Sequence, residues 1–485
     1  MAESVRKQLT HGVLWNFLEK VLMEGAQFVI GIILARILLP SDFGLIGMLA
    51  IFIAISNVFI EGGLAKALIQ KKDCSDLDYS TAFVSNIVIS ALIYVVLFLC
   101  APWIADFYRE PILTDLTRVL ALNFVLGSFN IVQRARLMAQ VDFKSLAKIR
   151  VISVVVSGIV GVAMAYSGFG VWSLVGQTIC STVVQMGLFP IYSRWKASFR
   201  FSMESFQSLF GFGSKLMVSG VYAVIMNNIS TIFIGRSYRS SQLGFYTRAS
   251  QFSQLISFTV NDVLGTVTFP VLSHLQDDKE HMVSVYRKTL FLTALVIFPI
   301  MILCTLLAKP IILILLTEKW LPCVVLMQWL FLARMFTPLS SVNMNVLNAV
   351  GRSDLFMKLD FAKAPLIIIT LVITIPISVE AICIGTFVTS FICFFINAYL
   401  PGRMCGYGAW QQIKDWRYIL LSLLIMTILV FTFIYLVENM WLQLFVGGSI
   451  GIIAYVVCCY FFGVINDEMI QMIKFRKNNG KTSNN

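Results

Sequence analysis

Apolar stretches long enough to cross a bilayer recur from Gly12 nearly to the C-terminus, with only short polar breaks between them. A helix needs about 20 mostly apolar residues to span the hydrocarbon, and about fourteen such stretches are present. They run over residues 13–38, 43–69, 80–104, 116–138, 148–166, 170–191, 209–235, 243–272, 288–308, 322–349, 361–377, 379–400, 418–437 and 441–463, with Pro376 to Glu380 as the turn inside 361–400. Hydrophobic residues make up 58% of the 485 and charged residues only 13%. A water-soluble fold of this length could not bury that much apolar surface. The sequence predicts an all-α polytopic membrane protein, with no room for a sizeable soluble domain.

Short loops rich in Lys and Arg stay cytoplasmic, and with the N-terminus inside, about 25 of the 37 basic residues fall on inside segments. The outside loops and outer helix ends hold roughly seven: Arg36, Arg109, Arg118, Arg236, Arg239, Lys309 and Lys319. Both termini are then cytoplasmic, which requires an even number of crossings. The net charge of +12 is a consequence of this topology. No basic cluster carries the aromatic or motif context of a nucleic-acid site, so no nucleic-acid partner is expected. The first apolar run is too long for a signal peptide and lacks a small-residue cleavage site. The ten cysteines are scattered without metal or redox spacing, and His11, His274 and His281 are isolated. Neither a metal nor a cofactor is expected.

The chain repeats itself at an offset near 200. Ile33-Leu34-Ala35-Arg36 followed by Ser41-Asp42-Phe43-Gly44 lines up with Phe233-Ile234-Gly235-Arg236 followed by Ser241-Gln242-Leu243-Gly244. The offset drifts to 208 at Pro102 and Pro310, and to about 211 where Val141-Asp142-Phe143 meets Ser353-Asp354-Leu355. The reading is two pseudo-symmetric six-helix lobes, 1–200 (helices 1–6) and 201–402 (helices 7–12). A C-terminal helix pair and cytoplasmic tail follow at 403–485. Transporters built from such parallel repeats place substrate between the halves and rock them for alternating access.

A charge at mid-bilayer costs at least about 2.5–3.5 kcal/mol, so intramembrane charges need a partner or a wet cavity. In the first span Asn16, Lys20, Glu24, Gln27 and Gly31 fall on one helix face, and Lys20 and Glu24 can pair at i,i+4. Asn57 and Glu61 repeat that spacing in the second span. Lys215, Ser219 and Tyr222 share a face of the seventh, and Arg248, Gln251 and Asp262 a face of the eighth. Asn123, Asn130 and Arg134 in the fourth span match the steps of Arg334, Ser341 and Asn345 in the tenth. Asn, Ser and Gln on such faces serve equally well as glue between helices, and arginines near the outer ends snorkel to headgroups. The deep cations in both lobes imply a polar cavity for an anionic substrate, with Lys20, Arg134, Lys215, Arg248, Arg334 and Asn345 as its candidate lining. Glu24, Glu61 and Asp262 are the candidates for ion coupling. No nucleotide-binding loop, HExxH or nucleophile elbow is present, so no catalytic residue is assigned and the chain is not read as an enzyme.

Leu34-Ala35-Arg36-Ile37-Leu38-Leu39-Pro40-Ser41-Asp42-Phe43-Gly44-Leu45 resembles the first periplasmic turn of the bacterial polysaccharide flippases. These belong to the multidrug/oligosaccharidyl-lipid/polysaccharide exporter superfamily, and the likeness is greatest to its colanic-acid-type, lipopolysaccharide-biosynthesis branch. Ala67-Leu68-Ile69-Gln70-Lys71-Lys72, Ala101-Pro102-Trp103-Ile104-Ala105-Asp106-Phe107-Tyr108 and Gly168-Phe169-Gly170-Val171-Trp172 look like that branch too. So do Phe212-Gly213-Ser214-Lys215, Leu243-Gly244-Phe245-Tyr246-Thr247-Arg248-Ala249, Glu318-Lys319-Trp320-Leu321-Pro322 and Asn348-Ala349-Val350-Gly351-Arg352-Ser353-Asp354. The resemblance covers about 1–410 and is specific as an ensemble. It implies two bundles in a V, a location in the bacterial inner membrane, and transfer of undecaprenyl-diphosphate-linked oligosaccharide to the outer leaflet. Lys215 and Arg248, inside matching motifs, would face the diphosphate. A monomer is expected, with membrane lipid around it and a polysaccharide polymerase and other assembly proteins as further partners. Two alternatives remain open. A drug or metabolite cation antiporter of the same superfamily would want an acidic cavity, and a membrane polymerase or glycosyltransferase would want large outside loops.

Overall fold

Long apolar runs without water to compete for their peptide groups have one local solution, the α-helix, because it satisfies its backbone within one segment. A computed structural model of the chain describes residues 23–61, 67–68, 74–195, 198–275 and 278–464. Among the described residues there is no strand. The helices are α1 (23–37), α2 (Pro40–Glu61), α3 (Asp76–Tyr108), α4 (Leu113–Ala139), α5 (Phe143–Tyr166), α6 (Trp172–Ser193), α7 (Met203–Ser237) and α8 (Ser240–His274). They continue with α9 (Lys279–Leu306), α10 (Ala308–Leu315), α11 (Cys323–Arg334), α12 (Thr337–Ala349), α13 (Ser353–Thr374), α14 (Val379–Cys405), α15 (Ala409–Asp415), α16 (Arg417–Leu436) and α17 (Met440–Phe461).

Eleven of the described helices, with α11 and α12 taken as one, are long and apolar enough to cross a membrane. α8 and α13, of 35 and 22 residues, are not among the eleven. α13 carries Asp354, Lys358, Asp360 and Lys363, and α8 carries Arg248, Gln251 and Gln254. Several helices begin on a polar cap that satisfies N–H groups the helix cannot. Ser75 accepts from Asp78 N (3.2 Å) while Asp78 accepts from Ser75 N (3.0 Å). Asp142, Asp278 and Ser378 accept from the N–H three residues on, at 3.1, 3.1 and 3.0 Å. Ser378 also sets the turn between α13 and α14, within the stretch the sequence assigned to it.

The chain forms two compact units, Met1–Thr247 and Arg248–Asn485. In the first, ring contacts of Phe83 with Phe129 (5.8 Å) and of Arg118 with Phe98 (4.4 Å) fix α3 and α4 as an antiparallel pair. Lipid is as apolar as a leucine side chain, so helices approach through small residues rather than by a hydrophobic drive. A Cβ on Gly158 of α5 would fall 2.3 Å from Ile30 of α1, and one on Gly176 of α6 2.4 Å from Met164. In the second unit Trp416, at the head of α16, is enclosed by Phe298 of α9 (5.5 Å) and Phe394 of α14 (5.6 Å).

The tightest approach lies within the first unit, at the N-termini of α2 and α8. Pro40 opens one helix and Ser240 the other, and each carries glycine four residues on. A Cβ on Gly44 would stand 1.7 Å from the Ser240 carbonyl oxygen, and one on Gly244 1.8 Å from that of Pro40. The contact is reciprocal, as at a two-fold axis, and its partners are related by the offset of 200 read from the sequence. Backbone meets backbone there, with no flexible side chain to give way. Alanine at Gly44 or Gly244 is expected to destabilise by about 1–3 kcal/mol, the range for overpacking. The double substitution should cost much less than the sum, because the first already parts the helices. Gly187→Ala, with open space around it, should be neutral. Thermal unfolding of the purified variants in detergent checks all three.

Candidate functional site

Arg334 stands where a helix of membrane length is interrupted. α11 ends on it, Met335 and Phe336 form a turn, and α12 begins with Thr337-Pro338. Proline has no N–H, so the carbonyl four residues back loses its donor; that carbonyl belongs to Arg334. The buried hydroxyl of Ser257 on α8 donates to it at 3.1 Å. The next residue, Phe258, lies with its ring 5.9 Å from the Arg334 guanidinium. Two turns N-terminal to Ser257, Arg248 is buried and donates from Nη1 to Gln251 Oε1 at 2.6 Å. The face that the sequence assigned to Arg248 and Gln251 is thus a hydrogen-bonded one. Both guanidinium groups belong to the second unit.

The other candidates are dispersed. Arg134 is half-buried on α4, Asn345 half-buried on α12, and Glu24 exposed on α1. Lys20 lies outside the described residues. Glu61, Lys215 and Asp262 lie on α2, α7 and α8, with their side chains outside the described set. Within the span expected over 322–349, Met335 and Phe336 form a turn between α11 and α12 while keeping right-handed helical backbone, and Arg334 lies on the first helix with Ser341 and Asn345 on the second. Asn130, on the polar face of α4, acts as glue: its Nδ2 donates to the Thr182 carbonyl of α6 at 3.2 Å.

Sequence reasoning missed a second polar centre in the same unit. Tyr286 of α9 donates to Asn343 Oδ1 of α12, and Gln412 of α15 donates to Asn343 Oδ1 (3.0 Å) and to Tyr286 Oη (3.2 Å). All three are fully buried. Beside them Tyr407 donates to Asp415 at 2.7 Å, and Arg287 grips the same carboxylate through two hydrogen bonds of 2.6 and 2.7 Å. Asp415 also lines an open cleft of about 350 Å³ with Ser284, Arg287, Lys288 and Phe291. Tyr286, Asn343 and Gln412 are separated by 57 and 69 residues, so no local period joins them. Among the described residues no group of His, Cys, Asp or Glu could hold a metal ion, and every described cysteine is a free thiol.

A bundle of long apolar helices of this kind defines a polytopic membrane protein. The structure of the "Lipid II flippase MurJ, inward closed conformation" superposes with a TM-score of 0.75, covering 94% of this chain and 99% of that one at 17% identity, which shows the fold. A family model described as "Polysaccharide biosynthesis protein" matches residues 33–325, and the chain belongs to that family. It is 25% identical to the teichuronic acid biosynthesis protein TuaB of Bacillus subtilis strain 168, over 73% of each chain. It is 24% identical to the lipopolysaccharide biosynthesis protein WzxC of Escherichia coli K12, over 76% of each.

Burial would raise the Asp415 carboxyl, but the hydrogen bonds from Arg287 and Tyr407 outweigh it and hold the pKa below the usual carboxylate value. A depressed folded pKa contributes stability that is complete above the unfolded value, about pH 4, and is lost as pH falls through the folded one. The unfolding temperature of the wild type is therefore expected to fall more steeply than that of Asp415→Asn on acidification from about pH 5 to about pH 3. Parallel slopes would show that the triad does not stabilise the folded state.

Proposed function

We propose that the protein is a transporter that carries a diphosphate-linked oligosaccharide lipid from the cytoplasmic to the periplasmic leaflet for surface polysaccharide synthesis. It works by alternating access and is not an enzyme. The observation that carries this reading is the pair of interior cations, Arg248 and Arg334, in a chain whose family is one of polysaccharide biosynthesis. Keeping a guanidinium inside a membrane protein is costly, and an anionic cargo offsets that cost each time it binds. The same charge would repel a cationic drug. The undecaprenyl carrier, the inner membrane, cytoplasmic termini and a monomeric state belong to the same proposal. So do the lobes 1–200 and 201–402 with the helix pair 403–485, and delivery to a polymerase. Lys20, Arg134, Lys215 and Asn345 complete the proposed polar lining.

Deleting the protein from its host is expected to trap lipid-linked glycan on the cytoplasmic leaflet. Arg248→Glu and Lys215→Glu should each lower surface polysaccharide at least tenfold with normal membrane insertion, while Arg248→Lys retains part of the activity. Wild-type export by both reversals would remove the anion-cavity reading. Glu61 is the better candidate for proton coupling than Glu24, which can pair with Lys20 at i,i+4. With coupling at Glu61, transport by Glu61→Gln should no longer respond to an imposed pH gradient; a retained response excludes that role.

A further inference from the structure

Hydroxyl side chains in these helices have a habit. Ser85, Ser153, Thr289, Thr293 and Thr370 each donate back to the carbonyl four residues earlier in their own helix. Two hydroxyls in the second unit donate instead to a main-chain carbonyl of another helix, and each of those carbonyls is one that proline has deprived of its donor. Pro299 of α9 frees Leu295 O, and Tyr455 of α17 donates to it at 2.9 Å. Pro338 of α12 frees Arg334 O, and Ser257 of α8 donates to it at 3.1 Å. Inside hydrocarbon such a carbonyl finds no water, so a protein donor is the only remedy.

The two cases differ in what the freed carbonyl belongs to. Leu295 is an apolar residue, and Tyr455 docks one helix on another. Arg334 carries a cation, and the donor's neighbour, Phe258, holds that cation over its ring at 5.9 Å. Residues 257 and 258 therefore grip Arg334 at its main chain and its side chain together. We infer that Ser257 is a positioning residue. Its hydrogen bond to the carbonyl freed by Pro338 fixes the break in the helix, and with it the place of the Arg334 guanidinium for a phosphate-bearing ligand. Ser257 itself touches no ligand. The ligand class rests on the function proposed above; the matching of Ser257 to Pro338 does not.

The full-length protein in detergent allows both parts to be tested. Ser257→Ala should lower the unfolding temperature of the wild type and leave that of Pro338→Ala almost unchanged, because alanine at 338 returns an N–H to the Arg334 carbonyl. Additive losses in this cycle would overturn the pairing. The probe for the ligand is farnesyl diphosphate, titrated by thermal shift. Its affinity should fall about fivefold in Ser257→Ala, the scale of one hydrogen bond, and further in Arg334→Gln. Tyr455→Phe should lose stability with unchanged affinity, which separates positioning from general loosening. If Arg334→Gln weakens the probe and Ser257→Ala does not, the positioning role is wrong. If Arg334→Gln binds the probe as the wild type does, the reading of Arg334 as a ligand cation fails, while the cycle still decides the pairing. Should Ser257→Ala alone not yield folded protein, comparing Ser257→Ala/Pro338→Ala with Pro338→Ala still decides the pairing: equal stability supports it and a further loss overturns it.

Discussion

A peptide carbonyl inside hydrocarbon has no water to fall back on, and most of the particular features of this fold answer that constraint. Regular helix answers it wherever the chain is continuous. Where a helix ends, a side-chain amide takes over: Gln328 donates to Thr305 O near the end of α9, and Gln443 to Ile434 O and Val437 O at the end of α16. At two prolines, Pro299 and Pro338, a hydroxyl from a neighbouring helix does so. Each remedy comes from another part of the chain, so each satisfied carbonyl is also a tether. In the second unit Tyr455 ties α17 to α9 in this way, and Ser257 ties α8 to the break between α11 and α12.

The second constraint is that lipid gives helices no hydrophobic reason to associate. Close packing must then come from side chains small enough to let backbones meet. The crossing of Gly44 and Gly244 is the limiting case, with two carbonyl oxygens in the space a methyl group would occupy. Contact of Cα–H groups with carbonyl oxygen at that range adds a weak attraction, but its main effect is geometric. A single methyl group at either position separates the helices.

The helices were legible because their signal is local and strong: twenty apolar residues followed by a polar break admit few other readings. The offset of 200 read from the sequence pairs Gly44 with Gly244, and the structure brings these two glycines together. The site was legible only in part. The face shared by Arg248 and Gln251 followed from helical spacing, since the helix there is continuous. The turn at 335–336, which lies between Arg334 and its partners Ser341 and Asn345, was not legible from their spacing. Pro338 was visible in the sequence, but a proline in a membrane helix need not break it; whether it does depends on which neighbour satisfies the carbonyl. Asn343 meets Tyr286 and Gln412 across 57 and 69 residues, and no local period records such a meeting.

The proposed repeat keeps some positions in both halves and lets others go, and the pattern has a physical reason. At the crossing, each glycine makes room for the other copy's carbonyl, so a change in either copy is felt by both. The offset of 211 that pairs Asn130 with Ser341 also pairs Gly127 with Pro338 and Asn123 with Arg334. α4 accordingly runs unbroken from Leu113 to Ala139, whereas its counterpart is split into α11 and α12. The cation moves too, from Arg134 near the end of α4 to Arg334 in the middle of the split helix. On the function proposed here the cargo is itself asymmetric, with charge at its diphosphate and hydroxyl groups along its sugars. Two identical copies would offer both ends of that cargo the same chemistry. A duplicated fold can hold such a molecule in one orientation only where its copies differ, and the interior positions are the ones free to do so.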